Sequence, residues 1–117
     1  MATQRLNLDR LASLDGPRWS GLPEGTVLGH MHLNVADLDR SQAFYESMGM
    51  QVTADLGGFM RFMSWDGYHH HLGINLLEGR GAAPVEADVA GLEGFEVGRL
   101  NERTKDPDGI EVNLPRA

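Results

Sequence analysis

The chain contains no cysteine. That excludes disulfides, thiolate metal ligands and a cysteine nucleophile, and it fits a cytoplasmic protein. No apolar run approaches the roughly 18 to 20 residues that cross a bilayer, so no membrane partner is expected. Positive charge is scarce: 10 lysines and arginines face 17 acidic residues, for a formal net charge of −7. Such a surface repels phosphate backbones and removes nucleic acid from the expected partners. Aromatic residues supply only 7% of the chain, but hydrophobic residues reach 41%. That is enough to pack one domain of 117 residues, and too little chain for two ordinary ones. Met1 to Arg5 leads into a polar stretch and not into an apolar signal core.

What is present begins with an arm, residues 1–26. Leu6, Leu8, Leu11 and Leu14 can line one side of a short helix that Asp15-Gly16-Pro17 ends. An apolar arm without a core of its own is expected to pack on the domain or on a second copy. The domain, residues 27–117, opens with the clearest strand, Val27 to Val35, where Met31, Leu33 and Val35 alternate with His30, His32 and Asn34. Asp37 is an N-cap for a helix from Leu38 to Met48, and Gly49 is its stop. Met50 to Ala54 and Phe59 to Trp65 are strands, and Asp66-Gly67 is a hairpin signal.

A long strand is expected from Tyr68 to Leu77. On it His70, Leu72, Ile74 and Leu76 share one face, and His69, His71, Gly73 and Asn75 the other. Gly79 to Ala90 is an acidic linker bearing glycine, alanine and proline. Leu92 to Val97 is a strand, Asp106-Pro107-Asp108-Gly109 a turn, and Ile110 to Leu114 a final strand with Ile110, Val112 and Leu114 on the core side. The fold class is α+β: one βαβββ unit, then a short echo of its first and last strands.

The five histidines fall in two clusters, His30 and His32, then His69, His70 and His71. A divalent ion needs neutral imidazole or carboxylate atoms converging at about 2.0 to 2.2 Å. Residues on the same face of neighbouring strands can converge so. Alternation puts His30, His32, His69 and His71 on the faces away from the core. The other reading of this pattern is a solvated polar sheet face that binds nothing. Phe59, Met63 and Trp65 alternate on one strand and serve either as core or as the wall of an apolar pocket.

The run Leu28-Gly29-His30-Met31-His32-Leu33-Asn34-Val35-Ala36-Asp37-Leu38, with Ala43-Phe44-Tyr45 and Met48-Gly49-Met50, resembles the vicinal oxygen chelate superfamily of glyoxalases, bleomycin-resistance proteins and type I extradiol dioxygenases. Gly67 to Asn75 and Asp106 to Val112 look like its later motifs. The tripled histidine and the stretch Trp19 to Pro23 most resemble the C-terminal half of catechol-2,3-dioxygenase-like proteins. The resemblance implies paired βαβββ modules that form a cup around a divalent metal, Fe2+ or Mn2+ first, Zn2+ or Ni2+ as alternatives. His30 matches the first-strand ligand, and His71 the position that is a glutamate ligand in bacterial glyoxalase I.

Two later positions depart from the pattern. Gly94 stands where the second module carries a histidine, and Asn113 where it carries a glutamate, with Glu111 two residues earlier on the same face. Gly98 to Lys105 is too short for the usual helix and two strands, so the second module is shortened.

On this resemblance the protein is a metal-dependent enzyme acting on a small diol or enediol. His30, His71, Glu111 and Asn113 would hold the metal, with His32, His70 and Tyr68 as acid/base groups. A homodimer could pair two intact modules around one ion. The other classes are a metal-free protein of the bleomycin-resistance type that sequesters a small-molecule ligand, with no cofactor, and an inactive truncated remnant.

Overall fold

Asp37 sets the first long element. Its extended backbone and its carboxylate, which accepts the Arg40 N–H at 2.9 Å, cap a helix. A computed structural model describes residues 5–84, 86, 88–97 and 103–113 of the chain. In it the elements are α1 (Leu8–Ala12), β1 (Met31–Asn34), α2 (Leu38–Ser47), β2 (Gln51–Asp55), β3 (Met60–Ser64), β4 (Leu72–Asn75), β5 (Gly94–Glu96), β6 (Arg103–Lys105) and β7 (Glu111–Asn113). Helix α2 ends at Gly49, whose φ of +85° suits the residue without a Cβ.

The first sheet runs β1-β4-β3-β2, with β1 parallel to β4 and the other pairs antiparallel. Leu33, Met63, Trp65, Leu72 and Ile74 form its buried side together with Leu38 and Tyr45 of α2. Met63 and Trp65 are therefore core residues, and Phe59 is 43% exposed; these three do not build a pocket. The opposite side carries His32, Phe62 and Gly73.

The second sheet runs β5-β7-β6, parallel then antiparallel. This repeats the order and sense of β1-β4-β3. Its third member, β6, lies in a polar segment where no strand is expected from sequence; pairing with β7, not apolar patterning, makes it a strand. Residues 97–102 alone separate β5 from β6, so the module has no room for a counterpart of α2 and β2. It is truncated. Leu114 lies outside the described residues.

The Asp106–Gly109 turn ties this short sheet to the first. Asp106 accepts the buried Tyr45 hydroxyl at 2.9 Å and the N–H groups of Asp108 and Ile110. Asp108 accepts from the Ala36 N–H, the Arg40 guanidinium and the Ser41 hydroxyl. Burial, and then the Asp106 carboxylate, pushes the Tyr45 phenol far above its ordinary value, so it remains a donor.

The arm stands apart. From Arg5 to His30 every described residue is exposed, including Leu8, Leu11 and Trp19. It forms the expected short helix, which among the described residues packs on no other element. No helix of the described residues is long and apolar enough to cross a membrane.

Asp106→Ala orphans one buried hydroxyl and two N–H groups, and is expected to cost about 2–4 kcal/mol in urea unfolding. Tyr45→Phe removes a single donor and should cost about 1 kcal/mol.

Candidate metal centre

The Asp66-Gly67 turn determines where the histidines go. Both residues have positive φ, +55° and +69°, the pairing that a tight hairpin turn requires. After it the chain does not enter a ladder at once. The Thr53 hydroxyl donates to the His69 carbonyl at 2.7 Å, and the Ser64 hydroxyl donates to the Tyr68 carbonyl. Thr53 sits in a register shift of β2 between Val52 and Ala54, the extra residue that frees its side chain for this contact. β4 begins only at Leu72. The alternation expected from Tyr68 to Leu77 holds from Leu72 on and fails before it: side-chain hydroxyls hold the Tyr68 and His69 carbonyls, and only at His71, whose N–H donates to the Met63 carbonyl, does the chain rejoin its neighbours.

The result exchanges two neighbours. The His70 ring lies flat on Phe62, with centroids 4.3 Å apart and planes at 13°, on the side that carries His32. The His71 ring instead lies beside Trp65 and Tyr68. Its Nδ1 accepts the Trp65 N–H at 3.3 Å.

His30, His32 and His70 offer ring nitrogens that all lie within 4.8 Å of one another. Among the described residues this is the group of His, Asp or Glu side chains that can hold an ion. His71 and Glu111, expected as ligands beside His30, are not in it. His70 takes the place expected for His71. His32 and His70, expected as acid/base groups, supply two of the three clustered nitrogens. Tyr68 is 44% exposed, its ring against His69 and His71.

Asn113 lies on β7, and its buried Oδ1 has no donor among the described residues. Its counterpart Asn75 accepts the N–H two residues on, from Leu77. Two residues after Asn113 the sequence has Pro115, which has no N–H to give.

The three nitrogens crowd one another. His32 Nε2 and His70 Nε2 are 3.4 Å apart. Two nitrogens about 2.1 Å from one tetrahedral ion would be about 3.4 Å apart. His70 Nδ1 is 2.8 Å from His69 Nδ1. A proton on His70 Nδ1, donated to His69, leaves the Nε2 lone pair free, as a ligand requires. Burial first, and then the neighbouring imidazoles, holds His32 and His70 below the ordinary histidine value, so both are neutral at pH 7. Neutral imidazoles are the form that binds a metal.

Two residues that sequence reasoning did not assign to the site support this arrangement. Phe62 is the stacking surface for His70. Gly73 is the seat of His32: a Cβ there would lie 2.8 Å from the His32 ring. A glycine inside a strand was the available signal of close approach.

On the other side of β1 and β4, between the two sheets, lies a cavity of about 460 Å³. Met31, Met50, Leu72, Leu92, Phe95 and Val97 form its apolar walls, and His30, His71 and Glu96 are among its polar residues. The pair His30 and His71, expected to face one concavity, does line this cavity. His30 belongs to both the cavity and the nitrogen cluster.

No family model matches the chain. Over 100 residues, 83% of this chain, it is 36% identical to catechol-2,3-dioxygenase of Bacillus subtilis (strain 168). The fold is similar to the crystal structure of lactoylglutathione lyase from Agrobacterium tumefaciens, with a TM-score of 0.53 at 15% identity, covering 79% of this chain and 94% of that one. Both indicate the vicinal oxygen chelate superfamily. The protein is thus glyoxalase/dioxygenase-like. The chain spans 35% of the length of the dioxygenase.

Because His32 and His70 resist protonation when folded, the unfolded chain binds more protons below about pH 6.5, the ordinary histidine value. The metal-free protein is therefore expected to lose melting temperature as pH falls from 6.5, until the pH passes below the folded-state values. His70→Phe, which keeps the ring on Phe62, should flatten that slope in thermal melts from pH 7.5 to 5.

Proposed function

We propose that the protein is a metal-dependent vicinal oxygen chelate enzyme, with one divalent ion on His30, His32 and His70 and a small diol or enediol as substrate. The observation that supports this reading is the convergence of three imidazole nitrogens, two of them on rings held neutral. Nitrogen lone pairs facing each other at 3.4 Å repel unless a cation or a shared proton lies between them. The dioxygenase likeness favours Fe2+ or Mn2+, and an imidazole set also accepts Zn2+ or Ni2+.

When bound, the ion would act as a Lewis acid towards substrate oxygens. The chain's own residues do the remainder. Phe62 and Gly73 fix the His70 and His32 rings. His69 holds the proton of His70 at Nδ1, which keeps that ring's other nitrogen a donor of electrons. Tyr68, exposed beside His69, is the acid/base group within reach of solvent.

The test is metal content and affinity. Wild-type protein should take up one equivalent of ion, and His30→Ala and His70→Ala should lose it. His71→Ala should retain it, which separates this ligand set from the one the resemblance implies. Gly73→Ala, pushing on the His32 ring, should weaken binding about tenfold without unfolding. Folded wild-type protein that takes up no ion would overturn the proposal and favour metal-free binding.

A homodimer belongs to the same reading. Leu8, Leu11, Trp19 and Leu22 of the arm have no cover on this domain, and a second copy would supply it. Sedimentation velocity at micromolar concentration should show a dimer; a monomer there removes the second copy from the proposal.

A further inference from the structure

The second sheet stops one strand short of the first. In the first, β2 pairs antiparallel with β3, and its Asp55 stands opposite Arg61 and pairs with it at 3.1 Å. In the second, β6 holds the place of β3, and among the described residues no strand pairs with its other edge.

That edge has open backbone groups. The Asp106 N–H donates to the Ile110 carbonyl at 2.9 Å. Bonded and non-bonded pairs alternate along an antiparallel ladder, so Thr104, two residues back, is the residue that bonds to Val112. Arg103 and Lys105, on either side of it, therefore turn their N–H and carbonyl groups outward. Such an edge is a template for a further strand.

The side chains select which strand. Arg103 and Lys105 are exposed and share the face away from half-buried Thr104. Among the described residues neither is in an ion pair, and Glu111, opposite Lys105 on β7, does not close one. A second copy pairing along this edge would set like charges against each other, which is unfavourable directly across a ladder. Carboxylates at alternate positions answer both cations, as Asp55 of β2 answers Arg61 of β3 in the first sheet.

We propose that the outer edge of β6 docks an acidic extended segment of a partner protein. The segment lies antiparallel to β6, bonds to the outward backbone groups of Arg103 and Lys105, and faces their side chains with carboxylates on alternate residues. It completes the second sheet to four strands and uses neither the histidines nor the cavity.

The experiment is fluorescence anisotropy on the full chain, at low salt and in chelator. The probe is a labelled octapeptide of alternating glutamate and valine. Wild-type protein should bind it, and should not bind the matching peptide of lysine and valine. N-methylation of every second residue of the acidic peptide keeps its charge and blocks its ladder, so it should weaken binding about tenfold. Lys105→Glu should weaken binding about fivefold, and Lys105→Arg should keep it. Lys105→Pro removes an outward N–H, a place where edge strands tolerate proline, and should abolish binding. If that variant fails to fold, Lys105→Glu and the N-methylated peptide carry the test. Lys105 is the chain's only lysine, so slower acylation of this one side chain with peptide present maps the contact.

Folded wild type that does not bind the acidic peptide overturns the proposal. So does equal binding of the N-methylated peptide, which would be attraction of charge alone, or undiminished binding by Lys105→Glu. A wild-type dimer in sedimentation that Lys105→Pro dissolves would put a second copy on the edge and also overturns it. Because chelator is present throughout, the metal site stands or falls separately.

Discussion

Two aspartates hold the second half of this protein in place. The short sheet has three strands of three residues each, with Val112 alone fully buried among them. A sheet of that size does not bury enough apolar surface to stand by itself. Its anchor is the Asp106–Gly109 turn, lodged at the start of α2 through Tyr45, Ser41, Arg40 and the Ala36 N–H. The turn ends where β7 begins, so its position also sets that of β5 along the first sheet. The cavity exists because of this placement: one wall comes from β5 and the opposite one from β1 and β4.

The two sheets solve one packing problem in opposite ways. Val35 donates to the Asn75 carbonyl, and Val97 donates to the Asn113 carbonyl, which makes His32 the counterpart of Gly94 and Gly73 the counterpart of Glu111. In the first sheet an imidazole on the leading strand lies over a glycine. In the second the glycine is on the leading strand, and a Cβ there would lie 2.9 Å from that of Glu111. Neither parallel pair has room for two side chains on that face. The same constraint that seats His32 over Gly73 in the first sheet leaves the second without an imidazole at the matching position.

Much of this was legible in the residues. The capped helix from Leu38, the alternation through Leu33 and Ile74, and the Asp66-Gly67 turn are local signals, and each predicted its element. His30 and His71 do line one cavity, but on the core side of β1 and β4, where alternation did not put them. What alternation could not give was the choice between His70 and His71. It was decided by two hydroxyls, Thr53 and Ser64, that hold carbonyls of the loop; one reaches from a different strand and the other spans four residues, and neither contact has a period. Strand β6 was hidden for a related reason: Arg103-Thr104-Lys105 has no apolar pattern, and only its partner β7 makes it a strand.

The irregularity at Thr53 reaches further than its place at the sheet's margin suggests. β2 is the outermost strand and carries no imidazole, yet its one surplus residue directs a hydroxyl onto the segment that aims them. Adding or deleting a single position in this border strand would rotate Thr53 away. The disturbance would then appear three strands across, in the spacing of ring nitrogens. For this family of small sheets, tolerance of insertions at an edge need not mean indifference at the centre.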